Sequence, residues 1–342
     1  MSTMDGKGED EVGGTDHAPE EYHDAEDGNC INGNGKYEFQ ENENDDEGDA
    51  LGRPGGRPGE VYAPMPVPKY ATHYKMNHPK RGLALIFNHE VFECGGLKSR
   101  SGTNEDCNNL KLCLSSLGFE VMVFKDLIYT DLESQVRAVS KMDHTNHDCV
   151  MFAILSHGEM NIVYAKDTPY KPESLWSLFT ADKCPSLAGK PKMFFLQACQ
   201  GDKLDGGVHL HTTETDGDMH NTYKIPVQAD FLIVYSTVKG YYSWRNTTKG
   251  SWFVQALCEE LRQRAHELDL MTILTFVSQR VAMDFESNVP DSITMHRQKQ
   301  IPCVMSMLTR LIQFNVPGSN LDSSVAIKAK KPRKRFSGIF KT

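Results

Sequence analysis

The 342-residue chain has no apolar run approaching the ~18 residues that a membrane-crossing helix needs, which excludes a helical spanning protein. Its N-terminal stretch is acidic and has no apolar core, so it does not have the form of a secretory signal. Nine cysteines are present, an odd number, with no C-x-x-C pair and no Cys/His spacing suited to zinc. A secreted disulfide scaffold and a zinc module are thereby set aside, and the expectation is reduced thiols in a cytosolic protein without metal or cofactor. Basic residues are nearly absent from residues 1–49, with two against seventeen acidic ones. Residues 322–342 invert this, with seven basic and one acidic. The 50–321 body carries 28 of each sign, so the overall charge of −9 comes from the leader. With a neutral body, general steering onto nucleic acid is not expected.

The leader, 1–49, is rich in Asp, Glu, Asn and Gly and poor in aliphatics, so it is predicted to be a disordered pro-segment rather than a folded adaptor. Residues 50–79 begin with Gly52-Arg53-Pro54-Gly55-Gly56-Arg57-Pro58-Gly59 and are expected to form a linker. The basic end, 316–342, contains Lys328-Ala329-Lys330-Lys331-Pro332-Arg333-Lys334-Arg335. It is either a plain charged tail, a nuclear-import signal or a polyanion contact.

Between residues 80 and 315 short apolar runs alternate with amphipathic stretches. Strands are predicted at 83–87, 119–124, 149–155, 193–196, 231–235 and 303–308, and helices at 104–117, 131–142, 252–267 and 270–283. Strand–helix alternation with continuous apolar strands implies a mainly parallel α/β sheet covered on both faces. A polar segment at 201–226 interrupts the order, and a connection that long inside a compact domain is usually functional or disordered.

In open parallel sheets, reactive groups collect beyond the carboxyl ends of strands. Here the third strand runs into Ser156-His157-Gly158 and the fourth into Gln197-Ala198-Cys199. An imidazole can generate and orient a thiolate nucleophile. A cysteine after an apolar run packs equally well as a small hydrophobe, so spacing alone leaves both roles open.

The local motifs are more specific. Gln197-Ala198-Cys199-Gln200-Gly201, with an upstream histidine, fits the Q-A-C-[RQG]-G signature known for caspases. Ser99-Arg100-Ser101-Gly102-Thr103, Leu155-Ser156-His157-Gly158 and Tyr241-Tyr242-Ser243-Trp244-Arg245-Asn246 extend the match from about Lys80 to Phe314. The chain resembles the caspase family, and its short leader resembles the executioner type. The resemblance implies a caspase-like three-layer fold with a mostly parallel six-stranded sheet. It also implies an aspartate-specific cysteine endopeptidase of programmed cell death, made as a zymogen.

By that resemblance Cys199 attacks the scissile carbonyl and His157 handles the proton. The backbone N–H groups of Gly158 and Cys199 form the oxyanion hole. No acidic third member stands out. Arg100, Gln197 and Arg245 match the pocket for the substrate aspartate, where two guanidinium forks and an amide suit a carboxylate. Residues 242–246, including Ser243, match the segment that pairs with an extended substrate. Tyr242 and Trp244 form an apolar wall, and Asn246 and Trp252 contact the residue four before the cut. Val289 and Met295 stand where executioners have phenylalanines.

Candidate processing sites are Asp216 in the polar interruption, with Asp205 and Asp218 as runners-up, and Asp49 at the end of the leader. Cutting divides the chain into a large subunit, 80–216, and a small one, 217–315. The family implies two such pairs about a two-fold axis, an upstream initiator caspase and inhibitor-of-apoptosis proteins as partners. Three alternatives remain at this stage: a non-catalytic caspase-like regulator, a related thiol protease preferring Arg or Lys, and a nucleic-acid binder using the basic tail.

Overall fold

The computed structural model describes residue 63, residues 65–205 and residues 226–314. Asp49, Asp216, Asp218, the leader and the basic tail lie outside them.

Six strands form the central sheet: β1 (Leu83–Asn88), β2 (Glu120–Lys125), β3 (Val150–Leu155), β4 (Lys192–Gln197), β5 (Phe231–Tyr235) and β6 (Cys303–Ser306). Their order is β6–β5–β4–β3–β1–β2, with every pairing parallel except the antiparallel β6–β5 edge. Every residue of β1, β3 and β4 is buried, which explains why their sequences are almost unbroken apolar runs.

Alternation along each strand divides the core into two layers. Ala84, Ile86, Met151, Ala153, Phe195 and Val234 face α1 (Thr103–Ser116) together with two later helices. Leu85, Phe87, Phe152, Ile154, Phe194 and Ile233 face the opposite way, against α2 (Tyr129–Ser140) and the short α3 (Glu173–Trp176). The later helices are α4 (Trp252–Arg264) and α5 (Leu270–Asp284). Leu110 and Leu114 of α1 lie on its buried face, as their spacing predicts. Asp269 starts α5 by accepting from the N–H groups of Met271 and Thr272, at 2.9 and 3.1 Å.

Two features differ from the sequence expectations. Residues 71–79, expected as linker, lie against the body: Tyr74 and Met76 are buried, and the Tyr74 hydroxyl donates to Asp230 at 2.7 Å. One tyrosine inserted into a polar niche carries no periodic signal. A small antiparallel sheet at Gly158–Glu159, Ile162–Tyr164 and Pro169–Tyr170 also went unpredicted, because two- and three-residue strands are too short to show alternation.

Phe194 stacks on Phe152 with centroids 4.7 Å apart and also touches Phe179 and Phe231. Phe194→Ala is expected to cost about 3–5 kcal/mol of folding stability, read as a lower urea midpoint at unchanged slope.

Candidate active site

Strand pairing brings the two reactive residues together. Leu155 of β3 lies opposite Gln197 of β4, and the Ser156 N–H donates to the Gln197 carbonyl at 3.1 Å. His157 and Cys199 each stand two residues past that pair, so they emerge side by side at the carboxyl edge of the sheet. Gly158 follows where space is tightest. A Cβ there would lie 2.6 Å from the Cys199 carbonyl oxygen and 2.9 Å from the Ala198 Cβ, so any larger residue would push the two segments apart.

His157 Nε2 donates to the Lys98 carbonyl at 2.7 Å. A carbonyl only accepts, so this bond holds the proton on Nε2 and leaves Nδ1 as the basic nitrogen. Phe92 packs on the ring at 4.8 Å between centroids. The third member of the arrangement is therefore a backbone carbonyl, invisible to a search for an acidic side chain.

Burial, reinforced by the nearby Arg100 and Arg245 charges, lowers the affinity of His157 for a proton, and the Lys98 bond only partly opposes this. The half-buried Cys199 is pushed the other way, chiefly by desolvation, against the pull of its Ser243 bond and the two arginines. The Ser243 N–H lies 3.4 Å from the sulfur, ready to stabilise a thiolate. Both shifts favour the uncharged forms, a thiol and a neutral imidazole.

The remaining candidates converge on the same edge. Arg100 is 1% exposed, and its Nη1 donates to the His89 carbonyl at 3.0 Å and to Thr103 Oγ1 at 2.7 Å. Its buried Nε has no partner among the described residues. Burial first and the Arg245 charge second bring its pKa down to about 9, so it stays cationic at neutral pH. Arg245 is half-buried, its Nε donates to the Ser101 carbonyl at 2.9 Å, and desolvation lowers its pKa as well. Gln197 donates through Nε2 to Ser243 Oγ at 2.8 Å, while its buried Oε1 has no partner among the described residues. Ser243 Oγ is in turn 2.8 Å from Ser236 Oγ. A buried and a half-buried cation with spare donors, and no carboxylate bonded to either among the bonds described, suit an acidic ligand.

Beyond them runs an aromatic ladder. Tyr242 meets Trp244 at 5.1 Å, Trp244 stacks on Trp252 at 5.7 Å, and Trp252 stacks on Phe285 at 5.5 Å. Phe285 was missed in the sequence because it follows α5 directly, where an aromatic residue passes for a helix end. Asn246 Oδ1 accepts from the N–H groups of Thr248 and Lys249, both at 2.9 Å. Its amide N–H₂ is the end that remains to donate, which favours a carboxylate over an amine.

The catalytic pair loses competence when the imidazole takes a proton from solvent. Because burial and the two cations oppose that proton, the acid limb of kcat/KM is expected to have its midpoint below pH 6.5, the ordinary value for histidine. A pH–rate profile on a short peptide checks this, and a midpoint above 6.5 contradicts it.

A protein-family model described as "Caspase domain" matches residues 81–313. A "Caspase-1" of Spodoptera frugiperda is 59% identical over 269 residues, covering 79% of this chain and 90% of its own. "Caspase drICE" of Drosophila melanogaster is 59% identical over 255 residues, 74% of this chain and 75% of its own. "Caspase-3" of Bos taurus is 46% identical over 242 residues, 70% and 87% respectively. The crystal structure of the Spodoptera frugiperda protein superposes with a TM-score of 0.70 at 58% identity, covering 74% of this chain and 99% of that one.

Proposed function

The chain belongs to the caspase family and is an aspartate-specific cysteine endopeptidase of apoptosis; from that premise we propose how its residues divide the work and how the enzyme is switched on. Its substrates are proteins, and the family's assembly is a dimer of large and small subunit pairs.

Cys199 is the nucleophile. As its sulfur attacks the carbonyl carbon, the thiol proton passes to Nδ1 of His157, whose other nitrogen stays bound to Lys98. The carbonyl oxygen becomes an oxyanion received by the backbone N–H groups of Gly158 and Cys199. His157 then gives its proton to the leaving amine as the C–N bond breaks, leaving a thioester. Water, losing a proton to the same nitrogen, attacks the thioester and releases the acid and the free thiol.

The substrate aspartate is taken by Arg100, Gln197 and Arg245, and the single observation that carries this is the buried Arg100, whose Nε has no partner among the described residues, at the strand edge that also carries Cys199 and Arg245. An uncharged isostere leaves the buried Arg100 and the half-buried Arg245 without a carboxylate to bond. Replacing Asp by Asn before the cut is therefore expected to lower kcat/KM about 10³-fold, while a peptide ending in Arg is not cut. Equal turnover of Asp and Asn peptides refutes the assignment. A regulator without catalysis, the rival class, shows no turnover at all, and the intact cysteine–histidine pair counts against it.

Activation proceeds by cleavage after Asp216, which separates large and small subunits, and after Asp49, which frees the leader. Both sites carry a small residue on the far side of the cut. Asp205 is a poorer site, because its carbonyl accepts the Lys299 N–H at 2.9 Å. An initiator caspase makes the first cut, and inhibitor-of-apoptosis proteins are the expected restraint. The enzyme acts in the cytosol and, where the basic tail serves as an import signal, in the nucleus as well. Intact-mass analysis of active enzyme is expected to find chains starting at Ala50 and Gly217. Activity in a protein uncut at both places contradicts the scheme.

A further inference from the structure

Arg100 precedes α1, whereas Arg245 lies 145 residues later on a two-stranded ribbon, Arg245–Asn246 paired with Gly250–Ser251. The Arg245 charge acts on Arg100 and repels it, so something must hold the ribbon against the start of α1. One bond is direct, from Arg245 Nε to the Ser101 carbonyl. The other runs through a side chain with no part in the chemistry. Asp106, in the first turn of α1 and 1% exposed, accepts the Ser251 N–H through Oδ1 at 2.7 Å and the Ser251 hydroxyl through Oδ2 at 2.6 Å.

Ser251 lies opposite Arg245 in the ribbon, so gripping Ser251 fixes the strand that carries the arginine. The neighbouring position is shaped around the same carboxylate: a Cβ at Gly250 would collide with Asp106 Oδ1. Desolvation raises the Asp106 pKa, while the Ser251 bonds and the charges of Arg100 and Arg245 oppose the rise. It is a carboxylate that both arginines sense yet neither directly binds among the bonds described.

We propose that Asp106 is a positioning residue for aspartate recognition, clamping Ser251 so that Arg245 is held at a fixed distance from Arg100. The inference rests on assigning the two arginines to the substrate carboxylate. Its effect is on binding and selectivity rather than on bond breaking, since Asp106 is bonded to Ser251 and not to Cys199 or His157.

The test uses full-length processed enzyme and peptides ending in Asp or Glu. Asp106→Ala removes both bonds and is expected to raise KM for the Asp peptide at least tenfold, with kcat within about threefold of wild type. It should also narrow the preference for Asp over Glu. Asp106→Asn offers an oxygen to the Ser251 N–H and an N–H to its hydroxyl, and is expected to restore KM to within about threefold. Ser251→Ala keeps the backbone bond alone and gives an intermediate KM, which provides the readout if Asp106→Ala does not fold.

Unchanged KM in Ser251→Ala and Asp106→Ala overturns the inference. So does a fall in kcat at constant KM, or an Asp106→Asn enzyme as impaired as Asp106→Ala. Arg245→Ala separates the two levels of argument. If that variant keeps its preference for Asp, the pocket assignment fails; if it loses the preference while the Asp106 and Ser251 variants behave as wild type, only the clamp fails.

Discussion

The parallel pairing of β3 with β4 is the constraint on which the site depends. Six consecutive residues of each strand are in register, and both chains leave the sheet at the same level. A slip of one residue would invert every side chain of one strand and carry Phe152 or Phe194 out of its stack. The burial that prevents such a slip is the same burial that sets His157 next to Cys199. Stability and chemistry thus share one register, and Gly158 is where they meet, since its missing side chain lets the two exits approach.

The electrostatics follow from where these exits lie. They open onto a desolvated edge that holds two arginines, and those cations act on everything nearby: they discourage a proton on His157 and favour charge on Cys199. Burial opposes the second effect and, on balance, raises the Cys199 pKa. A carboxylate bound by the arginines would offset the field they exert on His157.

Much of this was legible in the residues and some was not, for identifiable reasons. β1, β3, β4 and β5 announce themselves because strands buried on both faces must be apolar throughout. β6 is harder, because an antiparallel edge with exposed Met305 and Ser306 needs no such run. Cys199, His157 and the arginines were found through motif rather than periodicity, since a functional side chain at a strand end breaks no pattern. The Lys98 carbonyl could not be read at all, because every residue has one. Asp106 was hidden differently: an acidic residue in the first turn of a helix is ordinarily explained by the helix dipole. Only its distance to Ser251, far away in sequence, separates it from that explanation.

The pairing of β4 with β5 has a consequence for a broken chain. These strands flank the polar interruption, yet they hydrogen-bond in parallel from Lys192 opposite Phe231 to Leu196 opposite Tyr235. Severing the peptide between them removes no rung of that ladder. The two fragments are complementary halves of one interior, each unable to exclude water from its own apolar face without the other. A cut between them would leave the two fragments joined by this ladder.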